Sequence, residues 1–200
     1  MPLLDHFHPP LHGPRRWEGF HHSWCTFIAQ QLNQGILPPD YFAEAEIRIG
    51  PKLDCFEIRV YQDLADLNPR GVIALVSPAN KDRVGGRQSF ATKCVAYLQQ
   101  GIGVVIVDVV TACKANLHEE LFDLIGMQKQ AAWQSATGLY AVTYRALKAP
   151  DPSRLEVWAE CLALGETLPV MPLWLSLDLC VPVRLEESYL ATCQSLRISA

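Results

Sequence analysis

Ser77, Asn80, Lys81, Asp82 and Arg83 follow directly on the apolar run Val72-Ile-Ala-Leu-Val76. Asp108, Thr111, Lys114 and Asn116 stand in the same relation to a second apolar run, Gly103 to Val110. Open α/β sheets gather their ligand sites beyond the carboxyl ends of parallel strands, so the two sets share one edge if the runs pair. Two readings of the first set stand side by side. Ser77 and Asn80 suit a strand stop and a turn bonded to local backbone, and Lys81, Asp82, Arg83 and Arg87 suit a solvated face. Alternatively, Ser77, Asn80, Arg83 and Arg87 form a substrate- or anion-binding patch at a helix N-terminus.

The elements around these residues follow from periodicity. Trp17, Phe20, Trp24, Phe27, Ile28 and Leu32 recur at helical spacing, and Gly35 with Pro38 and Pro39 ends the run; this predicts an amphipathic helix. Tyr41 to Ile49 and Leu53 to Val60 alternate polar and apolar residues about Gly50-Pro51, the pattern of a hairpin. Val72 to Ser77 is apolar without alternation, as expected of a strand covered on both faces. A helix from Val84 or Gly86 to Gln100 and the strand Gly103 to Val110 complete a βαβ unit with parallel strands. Asn116 to Ile125 reads as a short capped helix, Leu139 to Leu147 and Arg154 to Leu164 as strands, and Leu185 to Arg197 as a closing helix. The Pro-rich stretch Pro169 to Leu175 lies between the second of these strands and the closing helix. The fold class is α/β (α+β): an antiparallel hairpin feeding a parallel centre, flanked by helices. Residues 1–16, with four prolines and three histidines, read as an extended arm, and 17–200 as a single domain.

Composition bounds the function. A length of 200 residues suits one domain, and a net charge of -4 supplies no field for a phosphate backbone. Tight non-specific nucleic-acid binding is therefore disfavoured. Cys25, Cys55, Cys94, Cys113, Cys161, Cys180 and Cys193 are scattered, with no C-x-x-C pair, and read as buried free thiols in a reducing compartment. With no signal-peptide pattern and no apolar stretch of about 18 residues, the expected location is the cytoplasm and no membrane is involved; a homo-oligomer stays open. His6, His8, His12, His21 and His22 lack a partnering Cys or Asp constellation beyond Asp5, so zinc is not expected. His118 reads as a surface or packing residue. No P-loop and no G-x-S-x-G elbow occurs.

The hairpin segment "KLDCFE", the strand ending in "VSP", the helix "RQSFATKCVAYLQQG" and the strand "GVVIVDVV" together resemble the Uma2-like branch of the PD-(D/E)XK, or restriction-endonuclease-like, nucleases. The opening "MPLLDHF" with Trp17 to Trp24, and Pro172 to Ile198, also resemble cyanobacterial and planctomycete proteins to which no activity attaches. The nuclease resemblance implies a restriction-endonuclease-like sheet in which a hairpin acid, here Asp54, and a second acid hold Mg²⁺. The metal polarises the phosphate and activates a water. A basic residue from the following helix completes the set, with Lys81, Arg87 and Lys93 as candidates. The second acid falls on Ala74. One carboxylate anchors Mg²⁺ poorly, so the resemblance implies a degenerate, non-catalytic binding or assembly module. The alternative is a Mg²⁺-dependent nuclease or phosphodiesterase using Asp54 with Lys81, Lys93 and a partner drawn from Glu44, Glu46, Glu57 or Asp108.

Overall fold

A computed structural model describes residues 2–11, 17–48, 55–63, 68–127, 133, 135–147 and 154–198. Asp54 lies outside them. Five helices, α1 (Trp17–Asn33), α2 (Pro78–Lys81), α3 (Val84–Gln99), α4 (Leu117–Leu124) and α5 (Leu185–Ser195), surround two sheets. The strands are β1 (Tyr41–Arg48), β2 (Cys55–Gln62), β3 (Gly71–Leu75), β4 (Gly103–Asp108), β5 (Leu139–Ala146), β6 (Leu155–Leu162), β7 (Val170–Trp174) and β8 (Cys180–Arg184). The larger sheet runs β1-β2-β3-β4-β5-β6, and the smaller is the β7-β8 hairpin. Among the described residues only β3 and β4 pair in parallel, with α3 as their crossover; the other ladders are antiparallel. This is the predicted α/β (α+β) plan of a hairpin feeding a parallel centre.

Strands β3 and β4 are buried throughout, which explains their lack of alternation. One face of the sheet, carrying Phe56, Ile58, Ile73, Leu75, Val105 and Val107, packs on α1 and the small hairpin, and α5 packs on those two in turn. There His21 stacks on Phe56 with ring centres 3.9 Å apart. Gly103 is needed where β7 crosses: a Cβ on it would stand 2.1 Å from the Trp174 carbonyl oxygen. The opposite face carries Glu57, Ala74, Ile106, Asp108, Tyr140 and Tyr144 beneath α2, α3 and α4.

The arm docks on the domain. Leu3 exchanges backbone bonds with residues 165 and 166: its N–H donates to Glu166 and its carbonyl accepts from Gly165. The Leu4 N–H donates to the Tyr189 hydroxyl at 3.0 Å, and His6 Nε2 lies 2.8 Å from the same oxygen. His6 and His21 are aromatic-core residues and not a metal cluster; burial pushes their pKa values down to about 4 and about 3. His118 is a packing residue, buried between Phe122, Trp133 and Tyr144.

One stretch without an assigned element forms a strand, and two expectations need correction. The Pro-rich stretch is a strand, β7, whose Pro172 stands opposite Pro182 of β8. Lys81 is buried and not part of a solvated face. Cys161 and Cys180 are exposed and Cys113 half-buried, so only Cys25, Cys94 and Cys193 among the described cysteines are buried thiols. No helix among the described residues is long and apolar enough to cross a membrane.

Candidate functional site

Ala74 lies directly between Glu57 of β2 and Ile106 of β4. Cross-strand neighbours share a face, so Glu57, one strand over, stands beside the position that the resemblance assigns to a second acid. Above it, α3 presents Lys93 and Tyr97, four residues apart and therefore neighbours on one helical face. Lys93 Nζ stands 2.5 Å from Glu57 Oε1. The other oxygen, Oε2, accepts from the Arg59 guanidinium at 3.0 and 3.1 Å and from the Tyr97 hydroxyl at 3.0 Å. Arg59 also donates to the Tyr97 hydroxyl at 2.9 Å and pairs with Glu46, which stands opposite Glu57 on β1. Two carboxylates and two cations thus interlock and balance in charge.

The Glu57 side chain is 1% exposed. Burial alone would raise its pKa, but the charges and hydrogen bonds of Lys93 and then Arg59 outweigh it and hold the carboxyl below its usual range. Glu57 is therefore an anion whose oxygens are already claimed on both sides.

A second buried pair closes the sheet edge beyond β3 and β4. Lys81, on the single turn of α2, reaches 2.8 Å from Asp108 Oδ2, with both side chains essentially inaccessible. Asp108 Oδ1 accepts from the Val110 N–H at 3.0 Å. Burial pushes the Asp108 pKa up to about 6, against Lys81, the Val110 N–H and the Tyr140 hydroxyl. Tyr140 stands opposite Asp108 on β5, and its oxygen accepts the Leu117 and His118 N–H groups at 3.1 and 3.2 Å. This network pins α2 and the α4 N-terminus to the end of β4.

The residues of the expected anion patch do not assemble into one. Ser77 and Asn80 are buried and bonded to each other: Asn80 Oδ1 accepts the Ser77 N–H at 2.9 Å and its hydroxyl at 3.1 Å. Arg87 pairs with Glu120 at 2.7 Å and donates to the Lys81 carbonyl at 3.3 Å. Arg83 is solvated beside Asp82. At this edge a strand stop and capped turn describe the chain; Lys81 and Arg87 are taken up in packing, while Asp82 and Arg83 stay solvated. Lys81 and Lys93 are kept apart, one serving Asp108 and the other Glu57. Arg59 and Tyr140, both part of these networks, carried no signal as site residues in the sequence. The spacing of Lys93 and Tyr97 was the one available cue.

The described residues around Ala74 do not fit Mg²⁺. A hard divalent ion needs several free oxygens, whereas Ala74 offers a methyl group and each Glu57 oxygen already faces a cation. Among the described residues, no three His, Cys, Asp or Glu side chains group to hold a metal. Compared with known proteins, the chain matches no protein-family model, no curated protein and no solved structure.

Proposed function

We propose that this chain retains a nuclease-like scaffold without nuclease chemistry and serves as a binding or assembly module. The kinship rests on the sequence resemblance. The loss of chemistry rests on one observation: the carboxylate beside Ala74, Glu57, is neutralised on both oxygens by Lys93, Arg59 and Tyr97. A carboxylate held in this way is a structural strut, since freeing it for a metal would strand two cations. A cytoplasmic location is part of this reading, and the acidic balance favours a protein over duplex nucleic acid as partner.

Calorimetric titration with Mg²⁺ and Mn²⁺ tests the reading. The expected outcome is no saturable heat. Micromolar binding abolished by Asp54→Asn, or by Glu57→Gln, would establish the metal-dependent nuclease in its place.

A further inference from the structure

Strand β6 is an edge of the six-stranded sheet. Its partner β5 fixes which backbone groups are spent. The Leu147 N–H donates to the Arg154 carbonyl, and Leu147 and Arg154 continue the β5–β6 register by one pair. Antiparallel ladders alternate bonded and non-bonded pairs. Residues 156, 158, 160 and 162 therefore bond inward to β5, while Leu155, Val157, Ala159 and Cys161 turn their N–H and C=O groups outward. Among the described residues, none of those outward groups has a backbone partner.

The side chains beside this edge are of two kinds. On the α4 face, Leu155, Val157 and Ala159 floor a cleft of about 490 Å³ walled by Phe122, Met127 and Trp133. Val157 is 37% exposed there. On the other face stand Glu156, Trp158 and Glu160. Glu156 pairs with Arg145 but keeps 41% of its side chain exposed. Glu160 is exposed and has no ion-pair partner among the described residues.

We propose that β6 receives an extended segment of another protein as a seventh strand, one whose side chains alternate between apolar and basic. The inference builds on the binding-module reading and names its surface and partner. A strand added at the ladder spacing of about 4.8 Å would satisfy the outward backbone groups. Its apolar side chains would enter the cleft beside Val157. Its Lys or Arg side chains would lie against Glu156 and Glu160 and over Trp158. A second copy of β6 is a poorer occupant: pairing all four outward residues with their own copies centres on Trp158 and sets Glu156 against Glu160 twice, like charges directly opposite.

The test uses the full chain and a short synthetic peptide alternating lysine and valine, followed by calorimetry and by tryptophan fluorescence, with an alternating glutamate-valine peptide as control. The lysine peptide binds, more tightly at low salt, and the glutamate peptide does not. Ala159→Pro removes an outward N–H without touching the β5 ladder, a position where edge strands tolerate proline. It should weaken binding about tenfold or more while the melting temperature holds, because it both deletes a ladder bond and blocks the added strand. Glu160→Lys, an exposed charge reversal, should weaken binding about tenfold through like-charge opposition. Absence of binding, equal binding of both peptides, or binding unchanged in Ala159→Pro overturns the proposal. So does self-association of the chain that Ala159→Pro abolishes without any peptide binding, which would make a second copy the occupant. A silent metal titration on the same sample leaves the module reading standing if the peptide fails; metal binding refutes that reading whatever the peptide does.

Discussion

Replacing Lys81 with methionine isolates the electrostatics of the buried pair. The two groups are 2.8 Å apart, with 1% and 0% of their side chains exposed, so removing the ammonium leaves a carboxylate with no water to solvate it. Breaking such a pair from one side costs about 3–5 kcal/mol, a large share of a typical domain's stability of about 5–15 kcal/mol. The loss depends on pH, with a defined sign. The Asp108 pKa is raised in the folded protein to about 6 from an ordinary 3.8, so the folded state holds this proton more tightly than the unfolded chain. Its contribution to stability is greatest below the unfolded value and falls as pH rises through the folded one. Without Lys81 the folded pKa climbs further. At pH 8 the variant therefore carries the full cost, whereas at pH 5 Asp108 stays neutral and the cost falls to about 1–2 kcal/mol from lost hydrogen bonding. Urea unfolding followed by tryptophan fluorescence at both pH values measures this, Trp24 being fully buried. Asp108→Asn should be destabilised without that pH profile, and the double variant should be more stable than either single one at pH 8. A Lys81→Met loss below about 1 kcal/mol, or one equal at the two pH values, would refute a tightly coupled buried pair.

Glu57 behaves in the opposite sense. Its carboxyl is held below the ordinary value of 4.5, so its stabilisation is present above that value and lost as pH falls through the lower folded one. Glu57→Gln should cost about 2–4 kcal/mol at pH 7, with the deficit shrinking toward pH 3 in acid-unfolding curves; a deficit constant with pH contradicts the charge balance described. Gly103→Ala should lower the melting temperature by about 2–12 °C in calorimetry, since the added Cβ meets backbone oxygen at 2.1 Å and overpacking costs about 1–3 kcal/mol. An unchanged melting temperature would mean that β7 does not cross there.

Elements whose periodicity is set by burial were legible in the sequence. The aromatic stripe of α1 and the unbroken apolar runs of β3 and β4 announce their covered faces, and Asn116 announces the α4 cap, its side chain accepting the His118 N–H at 3.0 Å. The β7–β8 hairpin was hidden because Pro172 and Pro182 oppose each other, and proline argues against a ladder unless its missing N–H faces away. The fate of the charges was hidden for a different reason. Lys81 follows a turn and resembles its solvated neighbours Asp82 and Arg83; that Asp108 waits for it depends on the β3–β4 pairing and on where a single helical turn directs it. Likewise, that Glu57 stands beside Ala74 depends on the strand order and on the β2–β3 register, which the sequence leaves open by one or two residues.

The contact between the arm, α1 and α5 bears on the order of folding. Trp24 donates to the Ser188 hydroxyl across 164 positions of sequence, and the Leu4 N–H reaches Tyr189 across 185. The aromatic stripe of α1 thus stays without its final cover until the segment around Tyr189 exists, whatever the sheet has achieved by then. Closure of such distant segments is slow, because the entropy of a long loop is spent before any contact returns it. In a chain synthesised from its amino end, Trp17, Phe20 and Trp24 emerge well before the segment around Tyr189 that covers them, and until then this stripe is a sticky surface of the kind that chaperones hold.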